Sequence, residues 1–461
     1  MPIASVNPAT GQTLRTFTPD TAADVEAKLA RAATAFSAWQ HEPIAARAEV
    51  LKQAAHILEV ERDSLAMLAT TEMGKPLRAA RDEVMKCATT CRHYADSAAS
   101  LLRAEPIAGA DQAVWFQPLG IILAVMPWNF PFWQVLRFAA PALAAGNVGV
   151  LKHASNVPQC ALALVDVFRR AGAPEGVFQA LLLGAGEIAG VVADPRVAAV
   201  TLTGSDSAGR AVAAAAGAHL KKSVMELGGS DPFIVLASAD LDRAVATGIK
   251  ARIVNNGQSC IAAKRFVVVS ELYERFASAF VEGMRALKVG DPSSADTDVG
   301  PLATRAIRDE VALQVDASVA AGARLLLGGR PSDDGGGNFY PPTVLGDVPP
   351  DAPAARQEVF GPVAALFRAP DADAAIALAN ASPFGLGASV WTSERAEALR
   401  FARELEAGSV FVNDMVASDP HFPFGGVKQS GYGRELGAYG LREFVNVKTV
   451  RLALPGELRW R

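Results

Sequence analysis

Ala-rich stretches with helical spacing alternate along this chain with short, β-branched apolar runs, and that alternation limits the fold more than any other feature. Val25, Leu29, Ala32 and Phe36 recur at helical spacing, and a second helical pattern runs from about Ile44 past Leu68. Buried strands are expected at Ile121–Met126, Val148–Leu151, Ala198–Leu202, Phe233–Leu236 and Phe266–Val269. Helical patterns at Cys160–Ala171 and Gly209–Leu220 separate some of them. Strands alternating with helices predict βαβ units and a mostly parallel sheet, an α/β fold. At 461 residues the chain is too long for one small core, so two or three structural units are expected.

Two segments break the rhythm. Ala104–Pro118 is polar and turn-like around Val114-Trp115-Phe116, and Val445–Leu454 alternates apolar and polar residues imperfectly. Both read as pieces of an arm that pairs with another subunit; an ordinary hairpin and a frayed tail fit the pattern nearly as well. Ser332-Asp333-Asp334-Gly335-Gly336-Gly337 has the composition of a surface loop.

Charge and cysteine content exclude several function classes. The net charge of −4 supplies neither a basic footprint for nucleic acid nor a polybasic patch for an anionic membrane. The apolar run Gly120–Met126 is too short to span a bilayer, and the first residues lack the pattern of a signal peptide. Four cysteines in a chain of this length form no disulfide framework. A reducing cytoplasm is therefore expected, with thiols free for chemistry.

Cys260 follows Asn255-Asn256-Gly257-Gln258-Ser259, where Gly257 allows a turn that presents the thiol. A thiol attacks a carbonyl as thiolate and needs a base or a lowered pKa. The alternative is an inert buried cysteine. Glu226 lies between Met225 and Leu227, beside Gly228-Gly229; partial desolvation there raises a carboxyl toward the range of a general base. A salt-bridged glutamate is the alternative. Pro127-Trp128-Asn129-Phe130-Pro131 directly follows the strand Ile121–Met126, at the end where open α/β sheets bind ligands. The Asn129 amide can donate to a developing oxyanion, a contact worth about 3 kcal/mol when preorganised. Gly204 and Ser205 follow the strand Ala198–Leu202 and precede a helix, a place where free N–H groups meet phosphate, although the glycines do not form G-x-G-x-x-G. Lys152 follows Val148–Leu151 and either points into the same crevice or is solvated. The six histidines form no ligand pair, so no metal site is expected.

Taken together, the Pro127–Pro131 motif, Glu226-Leu227-Gly228-Gly229, Gly257-Gln258-Ser259-Cys260, Glu358-Val359-Phe360-Gly361-Pro362 and Pro423-Phe424-Gly425-Gly426 resemble the aldehyde dehydrogenase superfamily in order and spacing, over essentially the whole chain. That resemblance implies a Rossmann-like cofactor domain (1–103 and 119–225), an α/β catalytic domain (226–440) and a small β oligomerisation arm (104–118 and 441–461), in a homodimer or homotetramer. It implies Cys260 as nucleophile, an oxyanion hole from Asn129 and the Cys260 N–H, and Glu226 as the base that activates hydrolytic water. It places Trp128, Lys152, Ser155, Gly204, Ser205, Glu358 and Phe360 around a nicotinamide dinucleotide.

Relatives that prefer NAD often carry a glutamate at the position of Ser155, which repels a 2′-phosphate. Ser155 removes that repulsion, so NADP is expected to be preferred, with NAD also used. The helix after Pro131 is implied to face the aldehyde. Arg137 there suits a carboxylate by a bidentate contact, and Trp133, Ser259 and Ser418 complete the expected substrate set. A subunit bridge or an element cap is the alternative role for Arg137. With Lys152-His153-Ala154-Ser155 and Ser418-Asp419-Pro420, the stretch is similar to the bacterial succinate-semialdehyde dehydrogenase branch. The expected substrate is succinic semialdehyde; a broad activity on neutral medium-chain or aromatic aldehydes is the alternative.

Overall fold

The computed structural model describes residues 3–107, 112–331 and 336–452. The surface loop expected at 332–337 lies mostly outside the described residues, as do the middle of the first arm segment and the end of the tail.

Two sheets organise the molecule. In the first, strands Gly431–Tyr432, Lys222–Glu226, Val197–Thr203, Ile121–Met126, Val148–His153 and Phe178–Ala180 lie side by side in that order. All pairings are parallel except that of Gly431–Tyr432 with Lys222–Glu226. The second runs Arg324–Leu327, Thr343–Gly346, Val363–Ala369, Arg265–Val269, Pro232–Val235, Gly387–Trp391, Ser409–Val412, and only its first pair is antiparallel. Central strands such as Ile121–Met126 and Arg265–Val269 are covered on both faces, which is why they read as continuous apolar runs rather than alternating ones. Each sheet has its own core of aliphatic and aromatic side chains.

The helical pattern from Ile44 is two helices, Ile44–Val60 and Arg62–Met73, separated at Glu61, whose backbone leaves helical values. Helix Asp206–Ala218 packs so closely on Leu227 that a Cβ at Gly209 would lie 2.5 Å from its side chain. Glu105–Pro106, Gln112–Pro118 and Val445–Arg451 form a separate antiparallel sheet with Gln112–Pro118 in the middle. Val445–Arg451 is an edge strand, and its Val447 is 60% exposed.

Candidate active site

The loop that leads to Cys260 is shaped by backbone that few residues tolerate. Asn255, Asn256 and Gly257 take φ of 54°, 60° and 75° in succession. A Cβ at Gly257 would lie 2.2 Å from the Gly361 carbonyl, so only glycine allows this approach. Asn256 anchors the loop: its amide donates to the Gly74 and Pro301 carbonyls and its oxygen accepts from the Gly300 N–H. Lys264, almost fully buried, donates from Nζ to the carbonyls of Ser259 (2.7 Å) and Cys260 (2.8 Å) and pairs with Glu358 at 3.1 Å.

Cys260 ends this loop half-buried, between two cavities. One, of about 520 Å³, is lined by Trp128, Asn129, Gly204, Ser205, Glu358 and Phe360 among others. The other, of about 470 Å³, runs past Ser259, Trp133 and Phe424 to Lys86 and Ser418. Both touch Cys260 and Gln134. Burial pushes the Cys260 thiol up to about 12, with Arg137 and Lys264 opposing and Glu358 adding to the rise.

The Asn129 amide nitrogen donates to the Gln258 carbonyl at 3.1 Å, which leaves its second N–H available. Asn255 donates to both the Asn129 and the Gln258 carbonyls, tying the two loops together. The Cys260 N–H has no partner among the described residues. Asn129 and Cys260 thus line one cavity with an uncommitted N–H each, the donor type an oxyanion needs.

Glu226 ends its strand, is 2% exposed, and has no hydrogen-bond partner on either carboxylate oxygen. Burial, reinforced by the Glu435 carboxylate, holds it well above the usual carboxyl range. Gly425 makes room for it; a Cβ there would lie 2.5 Å from Oε1.

Ser205 caps helix Asp206–Ala218, its hydroxyl accepting from the Ala208 N–H, and lines the first cavity. Phe360 meets Trp128 edge to face, ring centres 5.7 Å apart. Lys152 and Ser155 sit at and just beyond the carboxyl end of Val148–His153 but do not line that cavity. The Lys152 ammonium is buried and has no carboxylate partner among the described residues; burial alone lowers its pKa. His153, beside it, is turned inward: its ring contacts the Met126 and Pro131 carbonyls, and burial pushes it down to about 4.

Arg137 differs from the sequence expectation. It lines the second cavity, yet its guanidinium is buried, ion-paired with Glu435, bonded to the Thr203 hydroxyl at 3.3 Å and stacked over Phe424 at 4.6 Å. Its Nε faces the Glu435 carboxylate and one Nη the Thr203 hydroxyl, so the Nε–Nη edge that would grip a substrate carboxylate bidentately is already engaged. Sequence reasoning missed Lys86, Lys264 and Glu435. Lys264, four residues after the nucleophile and just before a strand, carried a positional signal. The burial of Lys86 and Glu435 comes from tertiary packing and had none. Among the described residues no cluster of potential ligands holds a metal ion, and no helix is long and apolar enough to cross a membrane.

This fold and this site define a class: the chain belongs to the aldehyde dehydrogenase family, whose model matches residues 1–450. It is 56% identical over 456 residues to a succinate-semialdehyde dehydrogenase [NADP(+)] of Mycobacterium avium (strain 104), covering 98% of this chain and 96% of that protein. The solved structure of Gox0499, a study of cofactor and substrate selection, superposes with a TM-score of 0.96 at 42% identity over 98% of this chain and 100% of the other. The succinic semialdehyde dehydrogenase of Streptococcus pyogenes, solved with NADP+, gives 0.95 at 36% identity over 97% and 99%.

Proposed function

We propose that this chain oxidises succinic semialdehyde to succinate with NADP+, using NAD+ as a second cofactor, through a thioester on Cys260. The observation that carries this reading is the position of Cys260 between two cavities, one suited to a dinucleotide and the other to a short acid aldehyde. The names of the Mycobacterium avium and Streptococcus pyogenes relatives support the choice of substrate and cofactor.

The residues present fit a nicotinamide dinucleotide. The first cavity meets the N-terminus of helix Asp206–Ala218, and the unpaired Lys152 ammonium suits an anion. Gly204 and Ser205 would hold the phosphates with Trp128 near them, Glu358 and Phe360 the nicotinamide half, and Lys152 and Ser155 the adenosine ribose. When bound, the oxidised nicotinamide supplies the hydride acceptor for the redox step.

The chain's own residues do the rest. As Cys260 gives its proton to solvent water, sulfur bonds to the aldehyde carbon and the carbonyl π pair moves to oxygen. The Asn129 amide and the Cys260 N–H bind that oxyanion. Once the adduct is a thioester, Glu226 takes a proton from water as the water attacks. The C–S bond breaks, the thiolate leaves with the electron pair, and the acid is released.

Gln112–Pro118 and the edge strand Val445–Arg451 form the arm through which we expect a homodimer or homotetramer to assemble. We place the reaction in the cytoplasm, in keeping with four unpaired cysteines, three of them in the core. The test is turnover with succinic semialdehyde and with butanal, each offered NADP+ and NAD+. A higher kcat/KM for the acid aldehyde with NADP+ supports the reading. Equal or better use of butanal would assign the chain to neutral aldehydes.

A further inference from the structure

The second cavity touches several cations, and they differ in what already neutralises them. Arg137 is ion-paired with Glu435. Lys75 is ion-paired with Glu83 and lies over the Phe130 ring at 3.7 Å. Arg78 lies 3.9 Å from Asp298, and Lys250 is exposed to water. Lys86 differs from all four. It comes from helix Leu77–Leu101, is half-buried, and rests its ammonium over the Trp133 ring at 4.3 Å. Its one hydrogen bond goes to a neutral group, the Ser418 hydroxyl, at 2.8 Å. Among the described residues no carboxylate lies within ion-pair distance of it; nearby Glu83 is engaged by Lys75, and Asp419 by His421.

We propose that Lys86, braced by Trp133 and Ser418, binds the distal carboxylate of the substrate and is the residue that selects acid aldehydes over neutral ones. This rests on the reading of the site given above. A partly desolvated ammonium held only by a hydroxyl and a ring gains a strong partner when an anion enters, whereas Arg137 would first have to release Glu435. Burial lowers Lys86 to about 8, with Arg137 adding to the fall, which is the condition of a cation short of counter-charge. Lys86 and Ser418 line the same cavity as Cys260, so one short aldehyde can meet the thiol with its carbonyl and the ammonium with its carboxylate. Trp133 and Phe424, which also line it, suit the two methylenes of succinic semialdehyde.

The experiment compares wild type, Lys86→Met and Lys86→Arg on succinic semialdehyde and on butanal, which has the same chain length and no charge. Lys86→Met is expected to raise KM for the acid aldehyde by about 10- to 100-fold, with kcat changed less than about twofold. The KM for butanal should hold or fall, which also shows that the variant is folded. Lys86→Arg should recover a large part of the acid preference. If wild type prefers the acid aldehyde and Lys86→Met keeps that preference, Lys86 is not the selector, and the exposed Lys250 or a displaced Arg137 must be. If wild type itself shows no preference for the acid aldehyde, the assignment of the substrate fails, and this inference with it.

Discussion

Arg137 and Glu435 form a buried ion pair whose two members act on Glu226 with opposite sign: the Glu435 carboxylate raises its pKa and the Arg137 guanidinium lowers it. Removing Glu435 takes away the repulsion and leaves Arg137 uncompensated, so both changes favour ionised Glu226. As the proposed base, Glu226 would act only when ionised, and its raised pKa would set the acid limb of the hydrolysis rate. In Glu435→Gln that limb should move to lower pH. A pH profile of single-turnover thioester hydrolysis checks this; a shift to higher pH would show that Glu435 acts otherwise.

In the proposed mechanism Asn129 binds charge that exists only after attack, so its loss should fall on kcat. Asn129→Ala is expected to lower kcat by about 10²–10³-fold while leaving the thermal midpoint close to wild type. A large fall in the midpoint would mean that its contacts with Gln258 and Asn255 hold the loops instead.

In the proposed cofactor site Ser155 would leave the adenosine side without a negative charge. Ser155→Glu should shift the ratio of kcat/KM, NADP+ over NAD+, toward NAD+ by about tenfold or more, through repulsion of the 2′-phosphate. An unchanged ratio would remove Ser155 from the determinants of cofactor choice.

Glu83 and Lys75 are a test of packing rather than chemistry. Glu83 accepts from the N–H groups of Phe132 and Trp133, each at 2.9 Å, at the start of helix Trp133–Ala144. Glu83→Ala strands a fully buried ammonium and uncaps that helix, so about 3–5 kcal/mol of stability should be lost, read from urea unfolding. A loss below 1 kcal/mol would indicate that water reaches Lys75.

Much of the fold was legible because the parallel strands are apolar on both faces. Ile121–Met126 was read with its exact ends, and the others to within one or two residues. Local chemistry also showed through: Gly257 announced a turn that the φ values bear out. What stayed hidden was partnership across the fold. Arg137 and Glu435 are 298 positions apart in sequence, and no spacing says that one neutralises the other. Lys86 meets Ser418, 332 positions away, and Trp133, 47 positions away, and no local pattern shows either contact. The break at Glu61 was missed because helical periodicity continues on both sides of it.

The account stands on a covalent Cys260 intermediate that Glu226 resolves, and Glu226→Gln addresses it directly. Mixed with NADP+ and succinic semialdehyde and quenched with acid, this variant should give a burst of reduced cofactor near one equivalent per site. Mass spectrometry should then find a succinyl thioester on the peptide containing Cys260, absent in Cys260→Ala. A burst without the adduct, or full steady-state turnover by Glu226→Gln, would contradict the account.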